Sequence, residues 1–149
     1  MYKRQGLTAA LFSKDQMIAS YLAQESMEVI KNIRDNNISG SIGWLTTINS
    51  NSCSVNSLCD ASVLDMSNPI NTSCINGKIG CPLYLADAGY SNTSGLAGSI
   101  KSQFSRGYYL EQKTTGNDAE YLVHVIVNWN EGTIPESLEL VSEITNSIR

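Results

Sequence analysis

The sequence predicts an α+β domain in which one long N-terminal amphipathic helix packs on a small antiparallel sheet, with a loop region between them. Three observations carry this. Ala9 to Asn37 (AALFSKDQMIASYLAQESMEVIKNIRDNN) is the longest stretch with a helical period and no Gly or Pro. Glu120 to Trp129 puts apolar Tyr121, Val123, Val125, Val127 and Trp129 in one phase of a two-residue rhythm and the less apolar Leu122, His124, Ile126 and Asn128 in the other, as a half-buried strand does. All four cysteines fall in the middle third, in a Ser- and Asn-rich stretch with few aromatics.

In the helix, Leu11, Ile18, Leu22, Val29 and Ile33 recur at steps of four and seven and so stack along one side. Met17, Tyr21 and Ile30 are expected to widen that stripe, while Lys14, Asp15, Gln16, Gln24, Glu28, Lys31, Asn32 and Arg34 face water. At about 1.5 Å per residue the stretch is roughly 40 Å long, more than a domain of this size needs to cover its own sheet. Asp35-Asn36-Asn37-Ile38-Ser39-Gly40 supplies turn formers and is expected to end it. Ile42, Trp44, Leu45 and Ile48 form a small apolar patch expected to lie against the helix.

Cys81 to Leu85 reads as a short strand, and Asp87 to Ser99 as a loop interrupted only by Tyr90. Phe104 and Gly107 to Lys113 form the next strand, and Gly116-Asn117-Asp118 a turn. On the strand that follows, Tyr121, Val123, Val125, Val127 and Trp129 should face the core, leaving Leu122, His124, Ile126 and Asn128 outward. Asn130-Glu131-Gly132 turns the chain, and Pro135 should delay the last strand, whose inward side chains are Leu138, Leu140 and Ile144. The expected product is a three-stranded meander.

At 149 residues the chain suits one domain with a modest core. The charged share is 16%, the net charge is −4, and the only basic cluster is Lys3-Arg4, which argues against a nucleic-acid footprint. No apolar run reaches the roughly eighteen residues that span a bilayer. Cys53, Cys59, Cys74 and Cys81 are separated by five, fourteen and six residues. Zinc ligands usually come in tighter pairs, often with His. An even count in Ser/Asn-rich surroundings suits two disulfides in an oxidising exterior. Cys53–Cys59 with Cys74–Cys81 is the most local of the three pairings; zinc and four buried thiols are the alternatives.

No residue set makes a catalytic constellation. His124 is the only histidine and sits on the less apolar face of a strand, where partly exposed strand surface is the ordinary role. Glu25 and Glu28 lie three apart on the helix, as solvated carboxylates usually do. Asp60, Asp65 and Asp87 lie in loops that offer the ligand types of a hard cation site. No cofactor is implied.

The words AQESMEVIKNIRDNN, after the Ala-Ser-Tyr-Leu step and a small apolar run, resemble the end of the long N-terminal helix of type IV pilin-like proteins. The Val-rich strand ending in Trp129, the turn, the last strand and the closing ITNSIR resemble that family's final hairpin. The middle, from about Ser39 to Ser102, matches nothing in it. Family members open with a basic leader, a Gly at the peptidase site, a Phe and a Glu, heading an apolar helix. Met1 to Gln5 (MYKRQ) carries none of this, whereas Gly6 to Phe12 is similar to the last turns of such a helix, so the chain reads as N-terminally truncated.

The resemblance implies one pilin-like domain over 1–149: helix 6–37, variable loop region 38–102, sheet 103–149. It implies a non-enzymatic minor pilin or pseudopilin, anchored in the bacterial inner membrane before assembly and extracellular afterwards. Its partners would be other pilin subunits and the assembly machinery, in adhesion, motility, secretion or DNA uptake. Leu7, Leu11, Ile18 and Glu25 would be the filament-packing residues. Glu25 holds the heptad step between Ile18 and Val29, where a carboxylate would meet Lys14 or Arg34 of another helix, for register more than strength. A secreted or surface-attached binding module, using the cysteine-rich loop as ligand surface, is the alternative from another class; a small extracellular enzyme is a third.

Overall fold

The computed structural model describes residues 2–48, 53–64, 69–71, 78–116 and 119–147. Tyr2–Ser39 form one 38-residue helix, α1, about 57 Å long at 1.5 Å per residue. It outlasts the expected end because Asn37 donates its side-chain amide to the Trp44 carbonyl (3.3 Å) and the Thr46 carbonyl (2.7 Å), folding the next turn back onto the helix. Closure comes at Ser41. Its N–H bonds to Ile38 O (3.2 Å) and that of Ile42 to Asn37 O (2.9 Å), with Ser41 itself at φ 56°. This is the Schellman arrangement with serine where glycine is favoured. Ser41→Gly is therefore expected to stabilise the domain by about 0.5–1 kcal/mol, seen as a higher urea midpoint at unchanged m-value. An unmoved midpoint would show that the left-handed serine carries no strain worth relieving.

The buried side of α1 comprises Ala19, Leu22, Ala23, Ser26, Met27, Val29 and Ile30, with Ile18 and Ile33 half-buried beside them. Met17 and Tyr21 are not on it: they are 57% and 66% exposed. Successive residues turn by about 100°, which puts both on the far side from Ala19, Ala23 and Ser26. The covered face thus combines the large apolar Leu22, Met27, Val29 and Ile30 with the small Ala19, Ala23 and Ser26.

Beyond α1 the described residues include seven strands. Asp60–Ala61 (β1) and Ile70–Asn71 (β2) pair as a short two-stranded ribbon. Cys81–Ala86 (β3), Gly89–Ser91 (β4), Ile100–Gln112 (β5), Tyr121–Glu131 (β6) and Ile134–Ile144 (β7) form one antiparallel sheet in the order β4-β3-β5-β6-β7. The expected three-stranded meander is its larger part. Of the two further strands, β3 stands where Cys81 to Leu85 is expected to be a strand and β4 comes from the stretch expected to be loop. β5 also starts earlier than expected, at Ile100, because it pairs Lys101 with Tyr84 and Ile100 with Leu85. Hydrogen-bond partners made that Ser-, Lys- and Gln-bearing segment a strand where its own propensity did not.

Register follows the alternation. Val123, Val125, Val127 and Trp129 are buried, and across from them Leu138 and Leu140 pack against the core above buried Ile144. Gly132, at φ 63°, occupies the first central position of the two-residue turn between β6 and β7, the requirement of a type II′ hairpin. Pro135 lies inside β7 rather than before it, which the sheet tolerates because β7 is an edge strand. Aromatic rings close both ends of the core. Phe104 meets Tyr90 (6.0 Å) and Trp129 (6.2 Å) at one end, and Trp44 meets Tyr121 edge-on (5.8 Å) at the other. Of the patch after the helix, Ile48 is buried and Ile42 is 55% exposed.

Candidate functional site

Between helix, sheet and cysteine-bearing segment lies the most connected polar cluster of the described residues. Its centre is Arg106 on β5, fully buried between Phe104 and Tyr108 in the inward phase of the strand. Its Nε donates to Asp60 Oδ1 (2.6 Å) and its Nη2 to Asp60 Oδ2 (3.1 Å), a bidentate pair with a carboxylate that is itself fully buried. Nη2 also reaches the Ala61 carbonyl (3.0 Å), and Nη1 the Leu22 carbonyl (3.0 Å) and Glu25 Oε1 (3.3 Å). These contacts occupy all the donors of the guanidinium. Asn92 Nδ2 adds a bond to Asp60 Oδ2 (2.8 Å). Burial works against the cation, but Asp60 first and Glu25 second outweigh it and hold the Arg106 pKa above its ordinary value. Next along the face, burial and then the charge of Asp60 push the Tyr108 phenol up, and its hydroxyl donates to Ile48 O (2.9 Å).

This cluster docks the cysteine-bearing segment on the sheet. Past the end of β3, where Cys81 pairs with Arg106, Cys59 takes over the edge of β5 by exchanging backbone bonds with Tyr108 (2.6 and 3.2 Å). Gly107 makes the approach possible, since a Cβ there would lie 2.5 Å from Leu58 Cβ. Cys53 and Cys59 are joined by a disulfide with Cα atoms 5.2 Å apart, clipping a turn closed by reciprocal Ser54 and Ser57 backbone bonds (both 2.9 Å). Cys81 is also disulfide-bonded; Cys74 lies outside the described residues. Cysteines held as disulfides are not zinc thiolates. Reducing the Cys53–Cys59 loop is expected to cost about 2 kcal/mol, and protein isolated and denatured without reductant should show no titratable thiol. Four free thiols would overturn this, and chelator-sensitive unfolding would restore the zinc reading.

The filament-packing candidates divide. Leu7 and Leu11, on the part of α1 before its first buried residue, are 63% and 48% exposed. Ile18 packs against its own core. Glu25, expected to meet a basic residue of another helix, pairs instead with Arg106 of its own chain, because β5 delivers a buried cation beneath its turn of the helix. Met17 and Tyr21 are exposed apolar positions that helical periodicity assigned to the wrong side.

The candidates for chemistry are spoken for. His124 stacks on Tyr109 (centroids 4.5 Å, planes 5° apart), with Nδ1 2.7 Å from Glu139 Oε1 and Nε2 3.0 Å from Glu111 Oε2. It ties three strands together on the outer face. Burial, then the charges of Glu139 and Glu111, raise the Tyr109 pKa. Glu28 meets Lys31 (3.7 Å) while Glu25 turns inward, so these two serve different partners. Asp60 belongs to the Arg106 cluster, Asp87 is exposed in the β3–β4 turn, and Asp65 lies outside the described residues. Among the described residues no three His, Cys, Asp or Glu side chains gather as a metal site, and no helix is long and apolar enough to cross a membrane.

The cluster was legible only by parity. Phe104, Arg106 and Tyr108 share the inward phase of a strand, and a charge in that phase demands a buried partner. Its partner, forty-six positions away on the two-residue strand β1, carries no such mark. No family model, curated protein or solved structure matches this chain.

Proposed function

We propose that this chain is the sheet-bearing part of a type IV pilin-like subunit, a minor pilin or pseudopilin, incorporated into or priming an extracellular bacterial filament. The observation that carries the reading is the division of labour along α1. Residues from Ile18 to Ile33 supply the face that covers the sheet, whereas Gly6 to Leu11 are exposed and carry bare Leu7 and Leu11. An ordinary covering helix would end where its sheet ends. The sequence resemblance of the helix and the closing hairpin to pilin-like proteins supports the same reading.

In this role the exposed end of α1 continues an apolar helix that sits in the inner membrane before assembly and among neighbouring subunits afterwards. Work is done by burial, and no residue performs chemistry. The test is incorporation. The chain carrying an upstream prepilin-type segment, expressed with a prepilin peptidase and assembly machinery, should appear in sheared surface filaments. Leu7→Glu with Leu11→Glu should leave the melting temperature of the domain unchanged and abolish incorporation. Full-length protein secreted freely and never found in filaments would overturn the reading.

A second reading, a surface-attached or secreted binding module, is favoured by the fixing of the Cys53–Cys59 hairpin. Its turn presents Val55, 50% exposed, on a base held by the Arg106 cluster. Normal filament incorporation of a Val55→Glu chain that has lost surface attachment would show the two roles combined in one subunit.

A further inference from the structure

A groove of about 260 Å³ lies at one end of the sheet, lined by Ile79, Gln103, Ser105, Asn128, Asn130 and Pro135, with Trp129 and Glu136 completing the wall. Ser105 and Asn128 are register partners on adjacent strands, and Asn130 pairs with Pro135 on the next. The floor is thus built from uncharged amides and a hydroxyl on β5 and β6, with Gln103 beside the register shift between Pro82 and Tyr84 of β3. Two apolar side chains flank it. Pro135 stands on β7, and Ile79, 55% exposed, is held by a bond from Asn128 Nδ2 to its carbonyl (3.1 Å). Gly80, at φ 82°, presses that segment against β5 so closely that a Cβ would lie 2.5 Å from Arg106 O.

The hydrogen-bonding capacity of this floor is unspent. Asn128 gives one N–H to Ile79, but Gln103, Ser105 and Asn130 have no side-chain partner among the described residues. Glu136 is the single ionisable group of the lining, and no cation stands with it, so nothing there selects an anion. Amides present a donor and an acceptor side by side, which matches neighbouring hydroxyl groups, and apolar rims match the C–H face of a ring. At slightly below the roughly 300–1,000 Å³ of pockets for drug-sized ligands, the volume suits one small ring.

We infer that this groove is a binding site for a neutral polyhydroxylated ligand, a single sugar ring of a surface glycan being the class it fits. The site lies apart from α1 and does not depend on the filament reading. Its affinity is expected in the millimolar range, as for a small, open site. The test is a titration of the 15N-labelled protein with methyl α-D-glucopyranoside, methyl β-D-galactopyranoside and N-acetylglucosamine, with inorganic phosphate as the charged comparison. At least one sugar should shift the side-chain amides of Gln103, Asn128 and Asn130 saturably, and phosphate should not. Gln103→Met and Asn130→Leu keep bulk on exposed positions while removing hydrogen bonds, and each should weaken binding about tenfold, with unchanged melting temperature separating lost contacts from lost fold. No shift of these amides by any of the three sugars, shifts centred elsewhere, affinity unchanged in both variants, or binding of phosphate in their place would each overturn the inference.

Discussion

Replacing Arg106 with Met is expected to lower the unfolding free energy by about 3–5 kcal/mol, a large share of the roughly 5–15 kcal/mol that holds a domain of ordinary stability together. The loss of a favourable pair is the smaller part. Asp60 would stay fully buried with Asn92 as its remaining side-chain partner among the described residues, and the Leu22 and Ala61 carbonyls would lose donors they cannot replace from water. Glu25, with its side chain 28% exposed, can turn to solvent, so Glu25→Gln should cost under about 1 kcal/mol. The order is what tests the account. Arg106→Met combined with Asp60→Leu should recover much of the single-variant loss, because a buried pair replaced by apolar side chains leaves no orphaned charge. Urea melts at constant pH measure all four chains. Equal losses from Glu25→Gln and Arg106→Met, or a double variant no better than Arg106→Met, would show that desolvated charge is not what the cluster controls.

That cluster explains how a segment with few large apolar residues stays fixed to the sheet. Leu58, Cys59 and Ala61 are buried, but on a short ribbon they cover little area. A bidentate ion pair, a disulfide and two backbone bonds to Tyr108 supply the constraint that hydrophobic area alone would not. Each acts on a different coordinate. The disulfide closes the turn on itself, the backbone bonds set its register on β5, and Asp60 ties it through Arg106 to the Leu22 turn of α1.

The elements legible in the sequence are those whose pattern is set by one neighbour. Leu22, Val29 and Ile30 announced a helix with one covered face, and Val123 to Trp129 a strand with one covered face, because burial against a single layer writes a period into the chain. Which residues beside that face are covered was not legible, since Ala19, Ala23 and Ser26 complete it while the larger Met17 and Tyr21 lie on the far side. β4 is three residues, GYS, which owe their strand to pairing with Tyr84 to Ala86. Pairing with a distant segment leaves no periodic trace. For the same reason Glu25 gave a clue to a missing cation but not to where it came from. A heptad step filled by a carboxylate said that something charged lies opposite, and only the fold decides whether it arrives from another helix or from the sheet.

Val125→Asp, with His124→Asn as its neighbour on the opposite face, tests the sheet itself. Val125 is fully buried in the core and pairs with Tyr108 on one side and Leu140 on the other. A carboxylate there would be buried among the apolar side chains of the core, and its register neighbour Tyr108 has its hydroxyl committed to Ile48. The expected cost is several kcal/mol, through desolvation if the group stays charged and through a lost apolar side chain if it takes a proton. The latter gives the variant a sign: stability should recover partly as pH falls, since the neutral acid is the form the core tolerates. His124→Asn removes a stack with Tyr109 and contacts with Glu111 and Glu139 on the open face. Those are worth about 1 kcal/mol together. Denaturant midpoints for both variants decide it, and similar losses at the two positions would mean that β6 presents its other face to α1.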